Sequence, residues 1–279
     1  MNATVRRILT ANSLSRRLYF AARQGYHLRM AVRGARRYFL NTDEFKTALR
    51  TPGGTALVDL RTADGLTITM RQNYGDASTL AEIFLDDCYV RDLTLPHSPV
   101  VIDVGGFIGD FSLYAVKRLN ARRVIVCEPS PRNWVLLLKN IANNGYEDRI
   151  EPVNKAVTDG GDVMMNVDAP DEYQCMVSAY YPSEQPLRAV SGTSLGQLLR
   201  DHALESVDLL KIDCEGGEYA ILESTPADVL SRIRNIVFEY HDFDGIEGVW
   251  ARLKSVKQRL RREGYALYMR RGLVSASRS

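Results

Sequence analysis

The chain has 279 residues, 45% hydrophobic and 25% charged, an ordinary globular composition with enough length to bury a sizeable core. No run approaches the ~18 consecutive apolar residues of a membrane span. The four cysteines (Cys88, Cys127, Cys175, Cys214) form no CxxC pair, which argues against a zinc ribbon. Buried, reduced thiols and a start without a long apolar leader core point to a cytoplasmic setting. The net charge of +2 conceals an asymmetry: residues 1–42 carry nine arginines and no acid, so the rest of the chain is at −7. Such an arm suits a solvated surface helix, an anionic partner such as a membrane surface or a nucleic acid, or an organelle transit peptide.

In chain order, residues 1–50 read as a basic helical arm, with Val5, Ile8, Leu9, Leu14 and Leu18 partly fitting a helical stripe. Pro52-Gly53-Gly54 marks a boundary. A small accessory segment, 51–98, follows. It holds a short hairpin turning at Ala63-Asp64-Gly65 and a helix over Thr79–Tyr89. From residue 99 to 279, apolar strands alternate with amphipathic helices. The strands are Val100–Val104, Arg123–Cys127, Ile150–Val153, Leu209–Ile212, Ile236–Tyr240 and Tyr265–Met269, the last pairing with Leu273–Ala276 across Arg271-Gly272. The helices are Phe111–Leu119, Pro131–Asn143, Gly217–Glu223 and Gly248–Glu263. Repeated βα units with fully apolar strands predict an α/β fold, a mostly parallel sheet with helices on both faces. Residues 160–190 break the alternation and read as a strand pair or an active-site loop.

Four features carry chemistry. Asp103 closes a buried strand and is followed by Gly105, Gly106 and Gly109 before a helix opens near Asp110. A sharp strand-to-helix turn brings unpaired backbone N–H groups to a ligand. The spacing is D-x-G-G-x-x-G, not the G-x-G-x-x-G of dinucleotide enzymes, which disfavours a nicotinamide dehydrogenase. An acid just ahead of the glycines suits the ammonium and sulfonium of S-adenosylmethionine (SAM) better than a pyrophosphate. Glu128-Pro129, at the end of the next strand, places a carboxylate where it can accept both ribose hydroxyls. Lys211-Ile-Asp213-Cys-Glu215-Gly-Gly-Glu218 ends a strand at the edge that faces a ligand crevice, so Asp213 and Glu215 fall near the reacting methyl. Glu239-Tyr240-His241 ends another strand, and His241 could take a proton from an acceptor hydroxyl.

Together VIDVGGFIGDFS (101–112), CEPSPRNW (127–134), NKAV (154–157), DLLKIDCEGGEYAIL (208–222) and VFEYH (237–241) resemble the FkbM-type SAM-dependent methyltransferases, as does the lead-in STLAEIFLDDCY (78–89). The resemblance covers roughly residues 78–270. It implies the Rossmann-like seven-stranded class I methyltransferase fold and O-methylation of a hydroxyl on a sugar, lipid or secondary metabolite. SAM would bind at Asp103, Gly105, Gly106, Gly109, Glu128, Pro129, Ala156 and Asp213 and leave as S-adenosylhomocysteine (SAH). His241, Asp213 and Glu215 are the candidates for activating the acceptor. A divalent metal held by Asp213 with Glu215 or Glu239 ranks below a metal-free route. The chain departs from the family where Phe107 stands at a position often occupied by Asn, and where Ser194-Leu195-Gly196 replaces a frequent Thr-Leu-Asp. RNA methylation through the basic arm and a non-catalytic SAM-fold binding protein remain as alternatives.

Overall fold

The computed structural model describes residues 34–51, 53–165, 187–240 and 248–278. Residues 1–33 of the expected basic arm therefore lie outside the described residues, as do Cys175 and His241. Residues 34–38 are helical, and a second short helix, α1, spans Thr42–Ala48. The expected hairpin is present as β1 (Leu57–Arg61) and β2 (Thr67–Arg71), antiparallel, with Gly65 at φ +92° in the turn.

The next helix, α2, runs Tyr74–Asp86 rather than Thr79–Tyr89. Asn73 caps it, its side chain accepting the Asp76 N–H at 2.9 Å. It ends where Asp87 turns left-handed at φ +50°. That early stop frees Tyr89 from the helix.

The main sheet has seven strands in the order β12-β13-β11-β10-β3-β4-β5. In chain order these are β3 (Val100–Val104), β4 (Arg123–Cys127), β5 (Ile150–Val153), β10 (Val207–Ile212), β11 (Ile233–Glu239), β12 (Ala266–Arg270) and β13 (Leu273–Ser277). The five from β11 to β5 are parallel, and the β12–β13 hairpin joins β11 antiparallel through β13. Strand alternation divides the core into two clusters. Val101, Val124, Val126 and Leu209 face α2, α3 (Asp110–Arg118), α4 (Pro131–Asn143) and the β1–β2 hairpin. Val100, Ile102, Val104, Leu210 and Ile212 face α5 (Leu195–Asp201), α6 (Glu218–Ser224), α7 (Ala227–Ser231) and α8 (Val249–Arg262). The chain is thus a Rossmann-like sheet with helices on both faces.

Two helices escape the periodicity. α5 is short, but Ser194 caps it by accepting the Gln197 N–H at 3.1 Å, and α7 follows Pro226 with only five residues. In the irregular stretch, β6 (Ala156–Val157) runs parallel to β9 (Gly192–Thr193), while β7 (Val163–Met165) pairs antiparallel with β8 (Arg188–Val190). A strand pair does flank that stretch, whose middle, 166–186, lies outside the described residues.

The hairpin is tied to the sheet by asparagines. Asn140 on α4 is fully buried. Its Oδ1 accepts the Thr69 N–H at 2.7 Å, and its Nδ2 donates to Thr69 O (2.9 Å) and Ile108 O (2.8 Å). Asn144 repeats the pairing with Thr67.

Candidate cofactor cleft

β3 lies between β4 and β10, so the chain leaves the sheet in opposite directions from neighbouring strands. A crevice at such a switch point opens beyond the carboxyl ends of the strands. Register places Asp103 opposite Lys211. Both are buried, with Asp103 Oδ1 3.1 Å from Lys211 Nζ. Asp103 Oδ2 accepts from Ser112 Oγ at 2.7 Å, and Lys211 Nζ donates to Gly105 O at 2.6 Å. Burial works against the lysine charge, but the surrounding Asp103, Asp213 and Asp110 carboxylates outweigh it and hold the ammonium.

The β3–α3 turn is wedged between its neighbours. Gly105 sits at φ +76°, and a Cβ there would fall 1.8 Å from the Asp213 carbonyl oxygen. A Cβ at Gly106 would lie 2.1 Å from Val126 Cγ2. Both glycines thus bring the turn close to the β10 and β4 loops. Phe107 also takes a left-handed conformation, φ +48°, where Asn is tolerated better than other non-glycine residues. Its backbone N–H donates to Glu128 Oε2 at 2.8 Å, and its ring lies under the Arg71 guanidinium, 5.1 Å from centroid to carbon.

Beyond β4, Glu128 is 4% exposed. Its Oε1 accepts the Ser130 N–H at 2.8 Å and lies 3.5 Å from Asn133 Nδ2. Burial raises its pKa from 4.5 to about 7, against the lowering pull of the Ser130, Phe107 and Asn133 bonds. Beyond β10, Asp213 Oδ2 accepts the Tyr89 hydroxyl at 2.5 Å, and burial first, then Asp213, pushes the phenol well up. Glu215 follows at φ +54°. Asp110 opens α3, 2% exposed, and burial takes its pKa to about 7.

These groups surround a cleft of about 990 Å³, counted out to its solvent mouth. Its lining includes Gly105, Phe107, Asp110, Glu128, Pro129, Asn133, Ala156, Tyr89, Lys211, Asp213 and Glu215.

The amino-acid sequence from residue 103 to 267 matches the methyltransferase FkbM domain. The chain belongs to the FkbM methyltransferase family. A 31-O-demethyl-FK506 methyltransferase, FkbM, of Streptomyces tacrolimicus is 28% identical over 222 residues, 68% of this chain and 84% of that protein. Methyltransferase sdnD of Sordaria araneosa is 26% identical, over 59% of this chain and 74% of its own. The crystal structure of methyltransferase FkbM from Methylobacillus flagellatus KT aligns at TM-score 0.49 with 14% identity, covering 85% of this chain and 58% of that one.

Within this FkbM-family cleft, the expected site residues divide into two groups. Gly105, Glu128, Pro129, Ala156, Asp213 and Glu215 are on its wall. Asp103 lies behind the wall in the Lys211 pair, and Gly106 and Gly109 shape the turn. Sequence reasoning missed Lys211, Tyr89, Asp110 and Asn133. Lys211 had a signal, since a lone lysine in an apolar parallel strand needs a buried partner. Tyr89 had none, because the expected helix Thr79–Tyr89 takes it as its last residue.

A smaller pocket of about 500 Å³ adjoins at Tyr89, lined also by Glu82, Cys88, Arg91 and Glu239. Burial pushes the Cys88, Cys127 and Cys214 thiols up, so none is set up as a nucleophile. Among the described residues, no group of three or more His, Cys, Asp or Glu side chains is arranged to hold a metal.

Proposed function

We propose that this chain is a SAM-dependent O-methyltransferase acting on a hydroxyl of a sugar, lipid or secondary metabolite. The observation that carries the reading is the buried Glu128 carboxylate at the cleft wall. A carboxylate offers about four acceptor sites. Three donors approach Glu128 from the protein, so one acceptor site is open to a ribose hydroxyl, and a second opens when the long 3.5 Å Asn133 bond is exchanged for the other hydroxyl. The lining supports a cationic ligand: four carboxylates (Asp110, Glu128, Asp213, Glu215) against one lysine.

When bound, the cofactor supplies an electrophilic methyl on its sulfonium. The protein's part is then mainly positioning. Glu128 would fix the nucleoside, the Gly105 turn would face the amino-acid tail, and Asp213 would stand on the β10 side. The acceptor would enter past Tyr89, which lines both pockets. Its hydroxyl proton would pass to His241, or to Asp213 or Glu215. The Streptomyces relative is a methyltransferase for an O-demethyl compound, which supports oxygen as the acceptor atom. A metal-free route is the preferred version.

The test is methyl transfer from labelled SAM to a panel of hydroxylated acceptors, with and without EDTA. The reading expects label on oxygen, insensitivity to EDTA and a loss of rate in His241→Ala. Label on nitrogen or RNA would overturn the O-methyl assignment, and EDTA inhibition would overturn the metal-free one. An unchanged His241→Ala rate would remove that residue as base.

A further inference from the structure

α8 carries two polar flanks that the fold treats differently. Its apolar stripe, Val249, Leu253, Val256 and Leu260, is buried in the core. On one flank the cations are committed to α6 and the turn after it. Arg252 Nη2 lies 2.7 Å from Glu223 Oε2, and Arg259 donates to the Leu222 carbonyl at 2.8 Å. The other flank is Trp250, Lys254, Lys257 and Arg261. The spacing i, i+4, i+7, i+11 keeps these four in one row about 16 Å long. Among the described residues, Lys254, Lys257 and Arg261 form no ion pair. Lys257 Nζ instead meets Met269 Sδ at 2.9 Å, which joins the row to β12, the strand at the open edge of the sheet. Burial and the adjoining Arg261 charge lower the Lys257 pKa, so the positive charge of the row is unrelieved. Trp250 and Met269 are 45% and 37% exposed, large apolar groups set among the cations.

The charge of the whole chain singles out the same edge. Residues 249–278 hold nine Lys or Arg and one acid, Glu263, whereas residues 43–248 hold 33 acids and 18 Lys or Arg. An anionic surface therefore repels the acidic body and attracts this edge. We propose that the α8 row with Met269 is a docking surface for an anionic lipid bilayer, its three cations among the headgroups and Trp250 at the interface. Lysine and arginine stems lie along apolar surface while their charges reach the headgroup layer, and an indole favours that boundary. The cleft argues against a nucleic-acid strand as the occupant. Trp250 packs on Tyr240, 6.1 Å between ring centroids, just past the carboxyl end of β11, so the row starts at the end of the sheet where the cleft opens. A strand running on from it would meet four carboxylates against one lysine. The surface is separate in sequence from the arginine-rich residues 1–42, and the inference does not depend on which ligand the cleft takes.

The chain has two tryptophans, Trp134 and Trp250, so Trp134→Phe leaves Trp250 as the sole reporter. Its emission is followed while vesicles of phosphatidylcholine, alone or mixed equally with phosphatidylserine, are added to the full chain at low salt. The expected result is a blue shift with the anionic vesicles, none with the neutral ones, and reversal by added salt. Lys254→Gln, Lys257→Gln and Arg261→Gln together should weaken partition at least about tenfold, since each charge near such a surface contributes roughly fivefold. Vesicle binding without an emission shift assigns the contact to other residues and overturns the proposal. So does unchanged partition of the triple variant, or no binding at all. A shift with a single-stranded RNA oligonucleotide but not with vesicles makes nucleic acid the partner and overturns it too. Should Trp134→Phe fail to fold, co-sedimentation of the unaltered chain and the triple variant with the same vesicles decides the matter by the same tenfold difference.

Discussion

At the residue scale, the Lys211–Asp103 pair holds the cleft floor. Removing one partner of a buried pair leaves the other charge uncompensated, at a cost of about 3–5 kcal/mol. Lys211→Met should therefore lower the unfolding free energy by about that much in urea titrations. A loss below about 1 kcal/mol would mean that Asp103 finds another partner. Gly105→Ala should be harsher, because φ +76° and the Asp213 carbonyl at 1.8 Å both oppose a Cβ. It should abolish SAH binding, and retained affinity would show that the turn can move. Asp110 gives a pH prediction. Its pKa rises on folding from 3.8 to about 7, so the folded chain binds this proton more tightly than the unfolded one. The stability of the ligand-free protein is therefore eroded by this group as pH rises from about 4 through 7. Asp110→Asn should stabilise it increasingly over that window, read as the difference in unfolding free energy between variant and parent. A difference independent of pH would contradict the shift.

At the element scale, the hairpin β1–β2 and α2 complete one face of the sheet. Asn140 carries three buried hydrogen bonds between α4, the hairpin and the cofactor turn. Asn140→Ala should cost about 2–3 kcal/mol, since it leaves buried backbone groups unmet. Hydrogen exchange should show faster exchange at Thr69 before the β3 and β10 amides respond. Uniform acceleration would mean that the hairpin and sheet open as one unit. The parallel strands were legible because each is a short apolar run between helices of clear period. The strand ends at Cys127 and Ile212, and with them Glu128 and Asp213, followed from that. What stayed hidden depended on caps and on partners far along the chain. The Asn73 cap starts α2 five residues early, and the Asp87 left-handed turn releases Tyr89 to reach a carboxylate 124 positions away. Asp110 looked like an ordinary first-turn acid, because only the three-dimensional packing buries it. Phe107 shows the same limit: the sequence marks it as a departure from a frequent Asn, and only the structure shows its left-handed backbone and the N–H bond to Glu128.

At the scale of the whole molecule, family membership and the switch-point cleft converge on one ligand class, and a smaller pocket adjoins that cleft at Tyr89. No described helix is long and apolar enough to cross a membrane. The central claim is that this cleft binds a SAM-type nucleoside through Glu128. Calorimetric titration of SAH into the full chain and into Glu128→Ala, with NAD as comparator, tests it most directly. The account predicts saturable one-to-one SAH binding, no NAD binding, and roughly 100-fold weaker SAH affinity in the variant, the loss of two hydrogen bonds to a charged acceptor. Absence of SAH binding, or equal affinity in Glu128→Ala, would contradict it.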